Sequence, residues 1–218
     1  AQGVDVLHTC DGEFNVPGGH ARAICEELIR RKIGQKVRWY AYLAVVPFDD
    51  DLADNMRRAG CAGVNFTGDS ACDSVLATYR KAHRREDLEK AVRLCRKHDL
   101  AVMIDLLLGG PGETPETVAD SIDVLKRLDP DCVGAALGMR LYPGTPARGL
   151  LLREGPLETN PGLRRRYDGP VDLLYPTFYI APSLGANPAR MVRERIARDE
   201  RFFEPQEESE AAPTPDDA

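Results

Sequence analysis

The sequence predicts an α/β fold in which parallel strands and helices wind into a partial barrel. Three observations carry this. Five times in 218 residues an apolar, β-branched run alternates with a helical pattern, at a period of about thirty residues. The run AVMIDLLL is apolar nearly throughout, as a parallel strand covered on both faces should be. The first turn, VPGGHARA, is not G-x-G-x-x-G, and no acidic residue stands at the later place a dinucleotide fold needs.

The first strand is read as VDVLHTC, 4–10. A Pro-Gly-Gly turn follows, then a helix with Ala21, Ile24, Cys25 and Leu28 on one face at the i, i+3, i+4, i+7 spacing. The second strand is VRWYAYLAV, 37–45. Its helix begins at Asp49, Asp50 and Asp51, which suit a helix N-terminus. Leu52, Met56 and Ala59 form its apolar face, and Gly60 stops it. The third strand is GVNFTGD, 63–69. Two helical stretches follow, one with Val75, Leu76 and Tyr79, the other with Leu88, Ala91, Val92 and Cys95. The fourth strand is AVMIDLLL, 101–108. Thr114 as N-cap and Pro115 at the first helical position start the next helix, with Val118, Ile122 and Leu125 inward. The fifth strand is CVGAALGMRLY, 132–142. Three regions result: the partial barrel over 1–150, a C-terminal cap over 151–203, and a tail over 204–218 that is acidic, proline-containing and expected to be disordered.

Charge and cysteine usage exclude several classes. There are 29 Lys and Arg against 35 Asp and Glu, net -6. The tail holds six of the acids and no Lys or Arg, so the folded part is balanced and shows no basic excess for nucleic acid. No apolar run approaches the roughly 18 residues of a membrane span, and no signal peptide opens the chain. The expected location is cytoplasmic. Cys10, Cys25, Cys61, Cys72, Cys95 and Cys132 lie too far apart for a local metal motif, and the expected state is reduced and mostly buried. Cys10 alone stands in a functional-looking place, at a strand end.

In parallel sheets of this kind ligands bind beyond the carboxyl ends of the strands. Those ends carry DGEFN after the first strand, Pro47-Phe48 after the second and Asp69-Ser70 after the third. GGPGE follows the fourth strand and RLYPGTP the fifth. Glycines admit a ligand close to the backbone. Adjacent carboxylates hold an ammonium or ribose hydroxyls. The pattern fits a polar, partly cationic small molecule. Arg140 and Tyr40 are candidates for substrate contact, and His20 opens a helix near the site.

These segments carry a resemblance. From about residue 4 to 150 the chain resembles a radical S-adenosylmethionine (SAM) domain with an Elp3/MiaB-like, TIM-like barrel. DLLLGGPGE is similar to that family's G-x-I-x-G-x-x-E, with Leu106 in place of the first Gly and Leu108, Gly110 and Glu113 matching the rest. VNFTGDS resembles the strand closed by an acid-Ser pair, RLYPGTP the Tyr-Pro-Gly-Thr after the last core strand, and DGEFN the Gly-Gly-Glu segment with Asp11 replacing its first Gly. The D-x-E-F-N variant followed by HARAICEELIRR resembles the cobalamin-dependent members.

The resemblance implies roles by position. Gly12 and Glu13 would meet the amino group of the SAM methionine. Asp69 and Ser70 would lie near the ribose or the methionine carboxylate. Leu108 and Gly110 would flank the adenine, with Leu141 or Tyr142 on its other side. The implied cofactors are SAM, a 4Fe–4S cluster and, through an upstream domain, cobalamin. The implied partners are a small-molecule substrate and an external electron donor, with neither nucleic acid nor membrane. No catalytic residue is assigned.

The family's Cys-x-x-x-Cys-x-x-Cys is not in this sequence. The expectation is a chain truncated at its N-terminus, missing the first barrel strand and its cluster ligands, and inactive alone. In the full enzyme a reduced cluster would cleave SAM to a 5′-deoxyadenosyl radical, for cobalamin-dependent methyl transfer or another radical reaction. The alternative is a degenerate SAM- or nucleotide-binding barrel without redox chemistry. An aldolase-like barrel would need a Schiff-base Lys at a strand end, whereas Lys81 and Lys126 fall on helices or links.

Overall fold

The computed structural model describes residues 3–165 and 169–205. Six parallel strands lie in the order β1 (Val6–His8), β2 (Arg38–Leu43), β3 (Cys61–Asp69), β4 (Ala101–Leu108), β5 (Cys132–Leu137) and β9 (Phe202–Phe203). All five pairings are parallel, with registers such as Leu7 opposite Trp39 and Ile104 opposite Val133. Because strand order follows chain order and crossovers are right-handed, all the crossover helices fall on one face. These helices are α1 (Gly18–Arg30), α2 (Asp50–Arg58), α3 (Asp73–Thr78), α4 (Arg85–Lys97) and α5 (Pro115–Leu128). Among the described residues no crossover helix lies on the other face of the sheet. This is one wall of a barrel that does not close.

Alternation along β4 shows both faces. Val102, Ile104, Leu106 and Leu108 are buried under the helices, while Met103, Asp105 and Leu107 are half-buried on the helix-free side. The helix layer holds the core. Phe66, Leu43, Leu52, Met56, Leu88 and Ile122 are almost wholly buried there. Phe48 stands edge-on to Phe66 at 5.1 Å between ring centroids. Local signals set the helix starts: the Asp49 side chain accepts from Leu52 N–H at 2.9 Å, and Thr114 caps α5 with Pro115 in its first turn. Asp49 also pairs with Arg22 of α1 at 2.5 Å, which ties the first two helices together.

Two stretches differ from the sequence expectation. The fifth strand does not run from 132 to 142. It stops at Leu137, and Gly138 adopts a φ of +99°, which side-chain-bearing residues rarely take. Beyond it β6 (Met139–Arg140) joins a second, antiparallel sheet with β8 (Thr177–Tyr179) and β7 (Leu163–Arg165). The 151–203 stretch expected as a cap contains β7 and β8, and it ends in α7 (Pro188–Ile196) and in β9, which adds a sixth strand to the main sheet. Val192 and Ile196 of α7 are wholly buried. Along the chain α6 (Pro146–Leu152) lies between β6 and β7. The expected disordered tail, apart from residues 204 and 205, lies outside the described residues. No helix among them is long and apolar enough to cross a membrane.

Candidate functional site

The carboxyl ends of β1 to β5 share one rim, and side chains from the helix-free face converge below it. The loop after β1 is held by a side chain. Asn15 is wholly buried. Its amide donates to the carbonyls of Ala44 (2.8 Å) and Pro47 (2.7 Å) and accepts from Ala44 N–H (2.9 Å). These three bonds fasten the DGEFN loop to the loop after β2. Glu13 is thereby directed at β3, where the Thr67 hydroxyl donates to its Oε1 at 3.0 Å. Gly12 stands open, and a Cβ built on it would meet nothing within 4 Å.

The β3 strand places Asn65, Thr67 and Asp69 in alternation on the helix-free face. Asn65 donates to Asp105 of β4 at 2.8 Å, and burial holds the Asp105 carboxyl above its ordinary pKa. Asp69, at a φ of +58°, pairs with Lys81 at 2.8 Å. Ser70 is wholly buried, with its hydroxyl against that of Ser121 at 2.9 Å and accepting from Cys72 N–H at 3.1 Å. Buried His83 donates from Nε2 to the Gly68 carbonyl at 3.0 Å, and burial lowers its pKa.

The turn after β4 wraps Glu113, which is 1% exposed. Its Oε2 accepts from the N–H groups of Gly109 and Gly110 and from the Tyr79 hydroxyl at 3.3 Å. Its Oε1 is buried without a partner. Burial pushes this carboxyl up to about 7, against the pull of those three bonds. Tyr79 lies over the turn so closely that a Cβ on Gly110 would sit 2.0 Å from its hydroxyl oxygen, which fixes glycine there. Leu108 is wholly buried in the core beneath. Leu141 is buried as well, whereas Tyr142 is 49% exposed with the Arg140 guanidinium 4.7 Å from its ring centre.

The structure therefore brings Gly12, Glu13, Asp69 and Gly110 to strand ends on one rim, while Tyr142 follows β6, whose Met139 reaches Gly110. It gives Ser70 and Leu108 supporting positions behind that rim. Asn15, Thr67, Tyr79 and Lys81 are not assigned to the site from the sequence, which marks Tyr79 as helix packing and sets Lys81 aside on a helix or link. The period-two pattern N-x-T-x-D of β3 is the signal that could have marked Thr67. His20 is exposed on α1, and Tyr40 is half-buried on the helix-free face, near a Cβ built on Gly63.

The six cysteines are free thiols. Cys25, Cys61 and Cys95 are buried, and burial pushes each thiol up to about 12. Cys10 is exposed at the end of β1. Among the described residues no three His, Cys, Asp or Glu side chains could hold one metal ion, so these residues do not fit a 4Fe–4S cluster. The rim does fit a small zwitterionic or cationic ligand, with carboxylates at Glu13 and Asp69 and open glycine backbone at Gly12. A separate open cleft of about 790 Å³, lined by Arg148, Leu157 and Leu173 among others, lies beside α6 and contains none of these rim groups.

Comparison with known proteins bears on this rim. The family model described as the radical SAM superfamily matches residues 1–125. Tryptophan 2-C-methyltransferase of Streptomyces laurentii is 34% identical over 155 residues, covering 66% of this chain and 26% of its own length. The structure of the radical SAM methyltransferase TsrM of Kitasatospora setae, with cobalamin and a 4Fe–4S cluster bound, superposes at a TM-score of 0.82 with 29% identity over 94% of this chain and 46% of that one. The cobalamin-dependent radical enzyme OxsB shares the fold at a TM-score of 0.63 and 16% identity, covering 81% of this chain and 32% of its own. The chain thus spans about a quarter of the curated methyltransferase and under half of the TsrM structure.

Proposed function

Since the chain belongs to the radical SAM superfamily, we propose that it forms the SAM- and substrate-binding wall of a cobalamin-dependent radical SAM methyltransferase. One observation carries the reading. Glu13, braced by Thr67 and by the Asn15 stitch, faces the same rim as Asp69 and the Gly109-Gly110 turn. A carboxylate after β1 and another at the end of β3, with β2 between them, suit the ammonium and ribose of SAM.

In this reading Gly12 and Glu13 receive the methionine amino group, Gly12 by giving the ligand access to backbone. Asp69 accepts from the ribose, its charge balanced by Lys81. Ser70, with its hydroxyl committed to Ser121 and Cys72, shapes the turn behind Asp69. Gly110 lets the adenine approach the turn that Glu113 holds, with Leu108 as the floor beneath and Tyr142 as the exposed ring on the other side. When bound, the family's cofactors supply radical and methyl-transfer chemistry. The cluster has no set of ligands among the described residues, and no step is assigned through it. The S. laurentii relative, a tryptophan 2-C-methyltransferase, supports a small-molecule substrate. Other relatives are tRNA-modifying enzymes, but the chain's balance of charge does not favour RNA.

Calorimetric titration of the protein with SAM tests this. Saturable binding that weakens about tenfold or more in Glu13→Gln and Asp69→Asn is expected, since each removes one charge-assisted hydrogen bond. Unchanged affinity in both variants would remove the rim from the SAM site.

A further inference from the structure

Resting on the reading above, we propose that Arg140, backed by Tyr142 and aided across Phe178 by Arg164, anchors the carboxylate of an aromatic substrate on the small antiparallel sheet beside the rim. Three features of the structure lead there. The first is direction. A Cβ on Gly134 would meet Asp105 Oδ1, so the even-numbered residues of β5 look onto the helix-free face, where Ala136 is exposed. Past the Gly138 bend, Met139 turns to Gly110, its Cε lying 2.9 Å from a Cβ built there. Arg140, next along the strand, turns the opposite way, onto the face of the small sheet that it shares with Phe178.

The second feature is an unanswered charge. Arg140 forms no ion pair among the described residues, and its Nε is buried with no hydrogen-bond partner. The guanidinium stacks on the Tyr142 ring instead. A half-buried guanidinium without an acceptor carries a desolvation cost that a planar oxyanion would offset. Stacking fixes one face of the fork and leaves its edge for bidentate pairing.

The third feature is the neighbouring row. In the small sheet both Arg140 and Arg164 pair directly with Phe178, so the three share one face. Among the described residues Arg164 donates to the carbonyls of Pro161 and Leu163. Phe178 is 39% exposed between the two cations. Two guanidiniums around an exposed ring suit a single carboxylate on a flat apolar body. They are too few for a nucleic acid, which engages roughly six to ten phosphates.

The probes are indole-3-acetate and its neutral amide, indole-3-acetamide, titrated calorimetrically with SAM measured in parallel. The acid is expected to bind the native protein about tenfold or more tighter than the amide. In Arg140→Gln that preference should fall to within about twofold, and Arg164→Gln should reduce it less. Arg140→Lys, which keeps charge and stem, guards against a folding defect and should lose part of the preference. SAM affinity should hold within about twofold throughout. Equal binding of acid and amide, binding of neither, or a preference that survives Arg140→Gln would overturn the proposal. So would an Arg140→Gln variant that loses SAM as strongly as the acid, because Arg140 would then serve SAM itself. If the acid preference holds while SAM does not bind, the SAM reading fails and the anchor stands.

Discussion

Replacing Glu113 by Gln should flatten the pH dependence of stability. The carboxyl is 1% exposed, and burial raises its pKa from 4.5 to about 7. The native state therefore keeps a proton that the unfolded chain has already lost. For such a raised acid, the stabilisation is complete below pH 4.5 and is lost as pH rises through about 7. At about 1.36 kcal/mol per pH unit, the loss is about 3 kcal/mol. Glutamine stands in for the protonated form, keeps an acceptor for Gly109 and Gly110, and does not titrate. Urea unfolding of both proteins between pH 4.5 and about 8 isolates the effect, since every other titrating group is common to the two. Stability of the native protein relative to Glu113→Gln should fall by about 3 kcal/mol over that range. In melting temperature this is about 6–12 °C for a chain of this size. Parallel curves would refute the reasoning and mean that water or a group from outside these residues reaches Oε1.

Three further outcomes follow from the same geometry. Asn15→Ala removes three buried hydrogen bonds and should cost about 3 kcal/mol in urea unfolding, with SAM affinity falling as the Glu13 loop loosens. Gly110→Ala puts a methyl 2.0 Å from the Tyr79 oxygen and should lower stability by about 1–3 kcal/mol, read as a lower melting temperature. Alkylation with iodoacetamide followed by mass mapping should label exposed Cys10 first, while Cys25, Cys61 and Cys95 stay unmodified until the protein unfolds.

Where periodicity and punctuation agree, the sequence describes this fold closely. The run over 101–108 is β4, and the Thr114-Pro115 pair opens α5 where expected. The expectation fails where one residue overrides its neighbours. The segment over 132–142 is β-prone on both sides of Gly138, and only the backbone angle of that glycine divides it between two sheets. The last strand is two phenylalanines long, too short for any alternation to mark it. The site divides in the same way. Gly12, Glu13, Asp69 and Gly110 are legible because chemistry gathers at strand ends. Their braces are not, because pairs such as Thr67 with Glu13 or Tyr79 with Glu113 exist only once distant segments meet.

The Asn15 stitch bears on how quickly a ligand is captured. Fixing a loop residue costs roughly 1–2 kcal/mol of conformational entropy. Here that ordering takes place when the polypeptide folds, because an internal amide rather than a guest molecule joins the first two rim loops. An arriving molecule meets walls already set in place, so its encounter is governed by diffusion into the open concavity and not by slow closure around it. Neither amide nor carbonyl ionises in the physiological range, so this half of the rim keeps its shape across the same pH span in which the turn held by Glu113 changes charge.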